Sequence, residues 1–189
     1  ESQEEPKIHD TTTKTDHDLT AYQFRFAKWA ILRLTGMIYV VAFAAAYFQN
    51  EGLMGAHGLQ PVQPYMDQLH ARFQDPMQGF LQQPTLFWWI PCTDENLRYV
   101  NLMGLVVSTF VTVGLNSWLV QLLLWMLYFS IVTIANGTSF YSYGWESQIL
   151  ETGFLCIFLC EIPSLTKNGG LRLALWDDRP SRPTAIILW

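Results

Sequence analysis

Charge is what this 189-residue chain has least of. Asp, Glu, Lys and Arg make up 14% of it, against roughly a quarter in a soluble domain. From Tyr99 to Trp145 no charged residue occurs at all, which excludes the polar outer surface that keeps a globular domain in water. Histidine is scarce: His9 and His17 precede the apolar segments, and His57 and His70 lie in a polar loop, so a haem held by two membrane-embedded histidines is excluded. Cysteine is limited to Cys92, Cys156 and Cys160. That is no disulfide framework, and the two that lie four apart in an apolar run read as small buried thiols. HExxH, CxxC, P-loop and GxGxxG patterns are missing. The net charge of −5 leaves no basic stripe, so nucleic acid is not an expected partner. No catalytic or metal-ligating residues are assigned, the chain is not read as an enzyme, and the only bound small molecules expected are lipids.

What is abundant is hydrophobic surface. Half of the residues are apolar and eight are tryptophan, a composition typical of membrane proteins with aromatic belts. About 20 residues cross the hydrocarbon layer, and four runs of roughly that kind are predicted: 29–48, 97–115, 118–135 and 145–160. GLNS (Gly114–Ser117) is the natural turn between the second and third. The expected fold is an all-α integral membrane protein, a four-transmembrane-helix bundle. Residues 1–21 form a polar tail that alone would be disordered, 22–160 the membrane domain, and 161–189 a polar, basic segment ending in the apolar stub AIILW.

The long loop 51–96 carries apolar residues at Tyr65, Met66, Leu69, Phe73, Met77, Phe80 and Leu81. That spacing predicts an interfacial amphipathic helix kinked at Pro76. PTLFWWIPC (84–92) is too short to span and is predicted to lie flat at the interface. Trp29, Trp88, Trp89 and Trp118 are the expected interfacial anchors. Basic residues cluster before or at the start of the first span and after the fourth, with only Arg72 and Arg98 between. Both ends therefore belong on one positive side, which requires an even number of spans.

Carboxylates near apolar helices are costly and need a partner or water. Glu146 is expected near the polar interface, and Glu151 about one and a half turns deeper, as a packing or docking contact inside the bundle. Glu161 closes the fourth span where Arg33 opens the first, so an Arg33–Glu161 ion pair is predicted. The sequon at Asn136 is too close to the bilayer to be favoured as a glycan site.

The run LLLWMLYFSIVTIANGTSFYSYGWESQILETGFLCIFL (122–159) resembles the lipase maturation factors, whose pattern here is close to LLWxLYLS…F…FxWxxxLLETGFLAIFL. GAHGLQPV (55–62) is similar to that family's GxxGLLPV, and PTLFWW (84–89) to its PSLFWL. Gly55, Gly58, Leu59, Pro61, Trp145, Glu146, Leu150, Glu151, Thr152, Gly153 and Phe154 are thus the family-motif and helix-docking candidates, while Gln148 and Cys156 depart from the pattern. The resemblance implies a non-enzymatic, polytopic protein of the endoplasmic reticulum with cytosolic ends, which assists secreted lipases. It also implies a large lumenal domain after a fifth span. The chain stops before any such domain and begins at Glu1 without methionine. From this, the favoured expectation is an accessory subunit of a larger membrane complex, in the mitochondrial inner membrane, with other membrane subunits as partners. The alternative is a piece of a maturation factor of the endoplasmic reticulum with secreted lipase clients.

Overall fold

The structure is a computed structural model that describes residues 9–73, 75–135, 140, 141 and 144–160, with side chains from residue 23 onward. The described residues are all helical or irregular. In chain order they form α1 (His9–Met54), α2 (Gln63–Arg72), α3 (Pro76–Gln82), a single 3-10 turn (Leu86–Trp88), α4 (Asp94–Val113), α5 (Trp118–Ala135) and α6 (Trp145–Leu159). α1 is unbroken over 46 residues, so the polar segment expected as a disordered tail is helical from His9. A helix already nucleated in Gln23–Met54 extends backward without a second nucleation step, which explains how a Thr-rich sequence joins it.

Among the described residues, three helices are long and apolar enough to cross a membrane: Gln23–Met54 within α1, Asp94–Val113 and Trp118–Ala135. The third matches its expected bounds. The second starts three residues earlier than predicted, because Thr93 caps it by accepting from the Asn96 N–H and Asp94 and Glu95 suit the positive end of a helix. It stops at Gly114, whose φ of 122° only glycine adopts easily. The Gly114 and Leu115 N–H groups then turn back to the Phe110 carbonyl. α6 has 15 residues, about 22 Å at 1.5 Å per residue, which is short of a full crossing.

α1 packs most extensively on α4, and α6 lies against both α5 and α1. Two glycines permit this. A Cβ on Gly104 of α4 would overlap the Phe43 ring, and one on Gly153 of α6 would overlap the Tyr39 hydroxyl. Small residues at such crossings let backbones approach where no hydrophobic force drives helices together in lipid. Tyr39 and Phe43 are one helical turn apart, and Tyr128 of α5 meets both edge-on with centroids 5.5 Å away. All four long helices thus converge on one fully buried aromatic trio.

The loop between α1 and α4 folds over one end of this bundle. The predicted kinked helix is two helices, since Pro76 opens α3 at a position where its missing N–H is harmless and Asp75 caps it. Met66 of α2 and Phe87 of the 3-10 turn join the bundle core together with Met54 and Val62. PTLFWW does not lie flat. Thr85 Oγ1 donates to the Ser130 carbonyl of α5 at 3.2 Å, and the Leu86 N–H donates to Ser130 Oγ at 3.1 Å. Trp88, expected at an interface, is only 4% exposed. Its indole N–H donates to the Gln83 carbonyl, and its ring leaves no room for a Cβ on Gly79. Trp89 is 54% exposed and free to anchor.

Candidate functional site

The first motif, Gly55–Val62, works as a fold-back. After α1 the chain reverses along its own last turn: Leu59 N–H donates to the Gly52 carbonyl, Gln60 to Leu53, and Val62 to Met54, all at 2.9–3.1 Å. These bonds satisfy carbonyls that a helix end leaves bare. A Cβ on Gly55 would strike the Glu51 carbonyl, and one on Gly58 would come within 2.8 Å of Leu53. The two glycines are therefore required by close backbone approach. Asp94 Oδ1 accepts from the Ala56 N–H at 2.8 Å, fastening the turn to the start of α4. Leu59 is 76% exposed, and Pro61 is exposed beside it.

The second motif, Leu150–Phe154 on α6, divides between two faces. Glu146, Ile149, Gly153 and Cys156 form the buried stripe. Tyr39 donates to the Ile149 carbonyl at 3.3 Å, Trp125 Nε1 to the Leu150 carbonyl at 2.9 Å, and the Cys156 thiol to Thr35 Oγ1 at 3.5 Å. Phe154 lies against the Trp125 ring, with centroids 5.6 Å apart. Trp145, Glu151 and Thr152 face outward. The two carboxylates therefore exchange the roles expected of them. At about 100° per residue, Glu151 is rotated some 140° from Glu146, so a stripe that buries one must expose the other. Glu146 is 4% exposed, and its Oε2 has no hydrogen-bond partner among the described residues.

Around Glu146 lies a neutral polar network that sequence reading missed. Tyr141 donates to Asn50 Oδ1 at 2.7 Å, and Asn101 Nδ2 donates to the Ala46 carbonyl at 3.3 Å, one turn earlier on α1. Asn50 Nδ2 and Asn101 Oδ1 are buried and meet no partner among the described residues. Burial, and secondarily the Glu146 carboxylate, push the Tyr141 hydroxyl up to about 12. The available signal was the amides themselves, since Asn50 and Asn101 interrupt otherwise apolar helices.

At the opposite end, Arg33 Nη1 donates to the Thr112 carbonyl at 2.7 Å, its guanidinium lies over the Trp29 ring at 5.4 Å, and it approaches Gly114 closely. Its predicted partner Glu161 lies outside the described residues, as does Asn136. Arg33 Nε and Trp118 Nε1 are covered and meet no acceptor among the described residues. Trp29 is exposed as an anchor should be, whereas Trp118 packs against Leu32, Cys156, Leu159 and Cys160. No three His, Cys, Asp or Glu side chains converge among the described residues. The arrangement is suited to holding helices together and to offering surfaces, and it carries no nucleophile–base pair in the two motifs.

The family model described as the lipase maturation factor transmembrane domain matches residues 26–187. The chain is 37% identical over 165 residues to human lipase maturation factor 1, covering 82% of this chain and 29% of that protein. It is 38% identical over 171 residues to the mouse protein of the same name, covering 88% and 28%. To lipase maturation factor 2 of Xenopus tropicalis it is 32% identical over 151 residues, covering 75% and 20%. The chain thus spans under a third of the relatives it matches. No solved structure matches it. The glycine fold-back at 55–62, the Leu150–Phe154 helix and a match running through nearly the whole membrane region place the chain in the lipase maturation factor family.

Proposed function

We propose that this chain acts as the membrane domain of a lipase maturation factor in the endoplasmic reticulum, assisting secreted lipases to fold and assemble without catalysing a reaction itself. The observation that carries this reading is the family match over 26–187. The relatives' names support it over an accessory subunit of a mitochondrial complex, for which no relative speaks. In this role the bundle is an anchor, and the distribution of basic residues asks for an even number of crossings. Arg25, Lys28 and Arg33 then lie on the cytosolic side with both ends, and the layer of α2, α3 and the 3-10 turn faces the lumen.

Two measurements test it. Purification of the protein from native membranes in mild detergent, followed by mass spectrometry, is expected to retain secreted lipases and lumenal chaperones. Recovery in fixed ratio with a respiratory-type assembly and without lipases would reject the proposal. For the topology, a glycosylation acceptor on a flexible insert after Leu59 should be modified, whereas one ahead of Arg25 should not. The reverse pattern would refute the orientation.

A further inference from the structure

The layer that closes the loop-side end of the bundle contains an open groove of about 340 Å³, between one face of α2 and the stretch from Phe87 to Thr93. Gln63, Met66, Asp67 and His70 stand at positions i, i+3, i+4 and i+7, so one stripe of α2 forms one wall. The floor is apolar and held firmly. Met66, Phe87 and Trp88 are buried, and His70 meets the Trp88 ring edge-on, with centroids 4.8 Å apart. The opposite wall is Trp89, Ile90 and Pro91, of which Trp89 and Ile90 are exposed large hydrophobics. Trp89 is 54% exposed and lies beside the Phe80 ring, with centroids 5.1 Å apart, so its indole face is open to a ligand.

The charge in this groove has one sign. The loop from Glu51 to Arg98 carries five carboxylates against two arginines, and one of the two, Arg98, is already paired with Glu51. Inside the groove, burial together with the carboxylates of Asp94 and Asp67 pushes the Cys92 thiol up to about 11. Both acids therefore act on the groove's base. An apolar floor beside the Asp67 carboxylate, with an exposed tryptophan at the rim, selects a ligand that brings an apolar group and a cation together.

We propose that this groove binds an extended peptide segment of an unfolded client chain, in which apolar and basic side chains alternate. The apolar side chain sits on Met66, Phe87 and Trp88, the basic one faces Asp67, and Trp89 closes over the backbone. This rests on the proposed maturation role and on the lumenal placement of the loop. Binding in trans does not require the groove to complete folding, only to cover such a segment while the client remains unfolded.

Cys92 gives a built-in reporter, because it lines the groove while Cys156 and Cys160 are buried in the bundle. The full chain in lipid nanodiscs is incubated with a synthetic Lys–Leu decapeptide, with a Glu–Leu decapeptide or with soluble phosphocholine, and alkylation of Cys92 at pH 9 is followed by mass spectrometry. The Lys–Leu peptide is expected to slow alkylation. Asp67→Asn should weaken its apparent affinity about fivefold and Trp89→Ala roughly tenfold, while Asp75→Asn, outside the groove and still able to cap α3, leaves it unchanged. Equal protection by the Glu–Leu peptide shows indiscriminate apolar adhesion and overturns the proposal, as does protection by phosphocholine alone, which makes the groove a lipid headgroup site. No protection by the Lys–Leu peptide also overturns it. Retention of lipases in the purification above, combined with any of these failures, keeps the maturation role and removes only the groove.

Discussion

The two ends of the bundle are built from different chemistry. At the tail-side end a single guanidinium does the joining: Arg33 closes the C-terminus of α4 through Thr112 and lies over Trp29. At the loop-side end the Arg98–Glu51 ion pair between α4 and α1 is exposed, and the buried network around Tyr141 and Asn101 contains no cation among the described residues. Neutral groups, Tyr141 with Asn50 and Asn101 with Ala46, tie α4 and the loop before α6 to α1 near the buried Glu146, whose Oε2 meets no partner among the described residues. Between them lies the aromatic waist of Tyr39, Phe43 and Tyr128 seated on Gly104 and Gly153. The difference teaches that a long side chain at a helix start can reach outward to head groups and inward to a carbonyl. At the covered end, polar groups must satisfy one another locally or remain unmet.

Breaking the waist should erase the contrast. Gly104→Val forces a side chain into the Phe43 ring, and a loss of about 3 kcal/mol is expected, read as the unfolding midpoint in detergent titrated with SDS. An unchanged midpoint would mean that α1 and α4 do not cross where the structure puts them. Next in size, Arg33→Ala should cost about 2 kcal/mol, the value of a charge-assisted hydrogen bond, and Arg33→Lys should recover only part of it. Equal loss in both variants would argue against the guanidinium geometry.

Tyr141→Phe tests the loop-side end and should cost about 1 kcal/mol. It also carries a pH signature. The Tyr141 hydroxyl is raised from 10.0 to about 12 in the folded protein, so the neutral form is favoured by folding. That contribution is complete below pH 10.0 and is lost as pH rises towards about 12. The phenylalanine variant should flatten this part of the stability curve, and an identical slope in both proteins would remove Tyr141 from the network. The smallest effects come from the two carboxylates. Glu146→Gln removes the charge from a buried carboxyl whose Oε2 meets no partner among the described residues, and should leave stability equal or slightly higher. Glu151→Gln, on the outward face, should leave the bundle's midpoint unchanged. A large loss at Glu151 would show that it faces inward after all.

How much of this was legible depended on the kind of signal. The turn at Gly114–Ser117 and the bounds of α5 could be read because a chain break in an apolar run needs a residue tolerant of positive φ, and Gly114 supplies it. The motif glycines were visible as motif, but their reason was not. Gly55 and Gly58 serve a fold-back whose bonds join residues seven or eight apart, and no local period encodes that. Trp88 and Trp89 are adjacent and chemically identical, so sequence assigned both to the interface. The Ser130 anchor, distant in the chain, buries one and leaves the other out. Glu151 was expected inside the bundle and is exposed for a related reason: helical spacing fixes the angle between Glu146 and Glu151 but not which of the two faces the bundle.

Composition and run length by themselves determined that this is a helical membrane protein, since about 20 uncharged residues have no stable place except in lipid or in a packed core. Family membership was likewise carried by the motifs alone. Only the tertiary structure decided which carboxylate is buried, that the aromatic loop plugs the bundle's end, and that a negatively charged groove opens there. Those outcomes depend on contacts between segments far apart in sequence, where the rotation of a helix about its axis is set by which neighbour has a glycine to receive it.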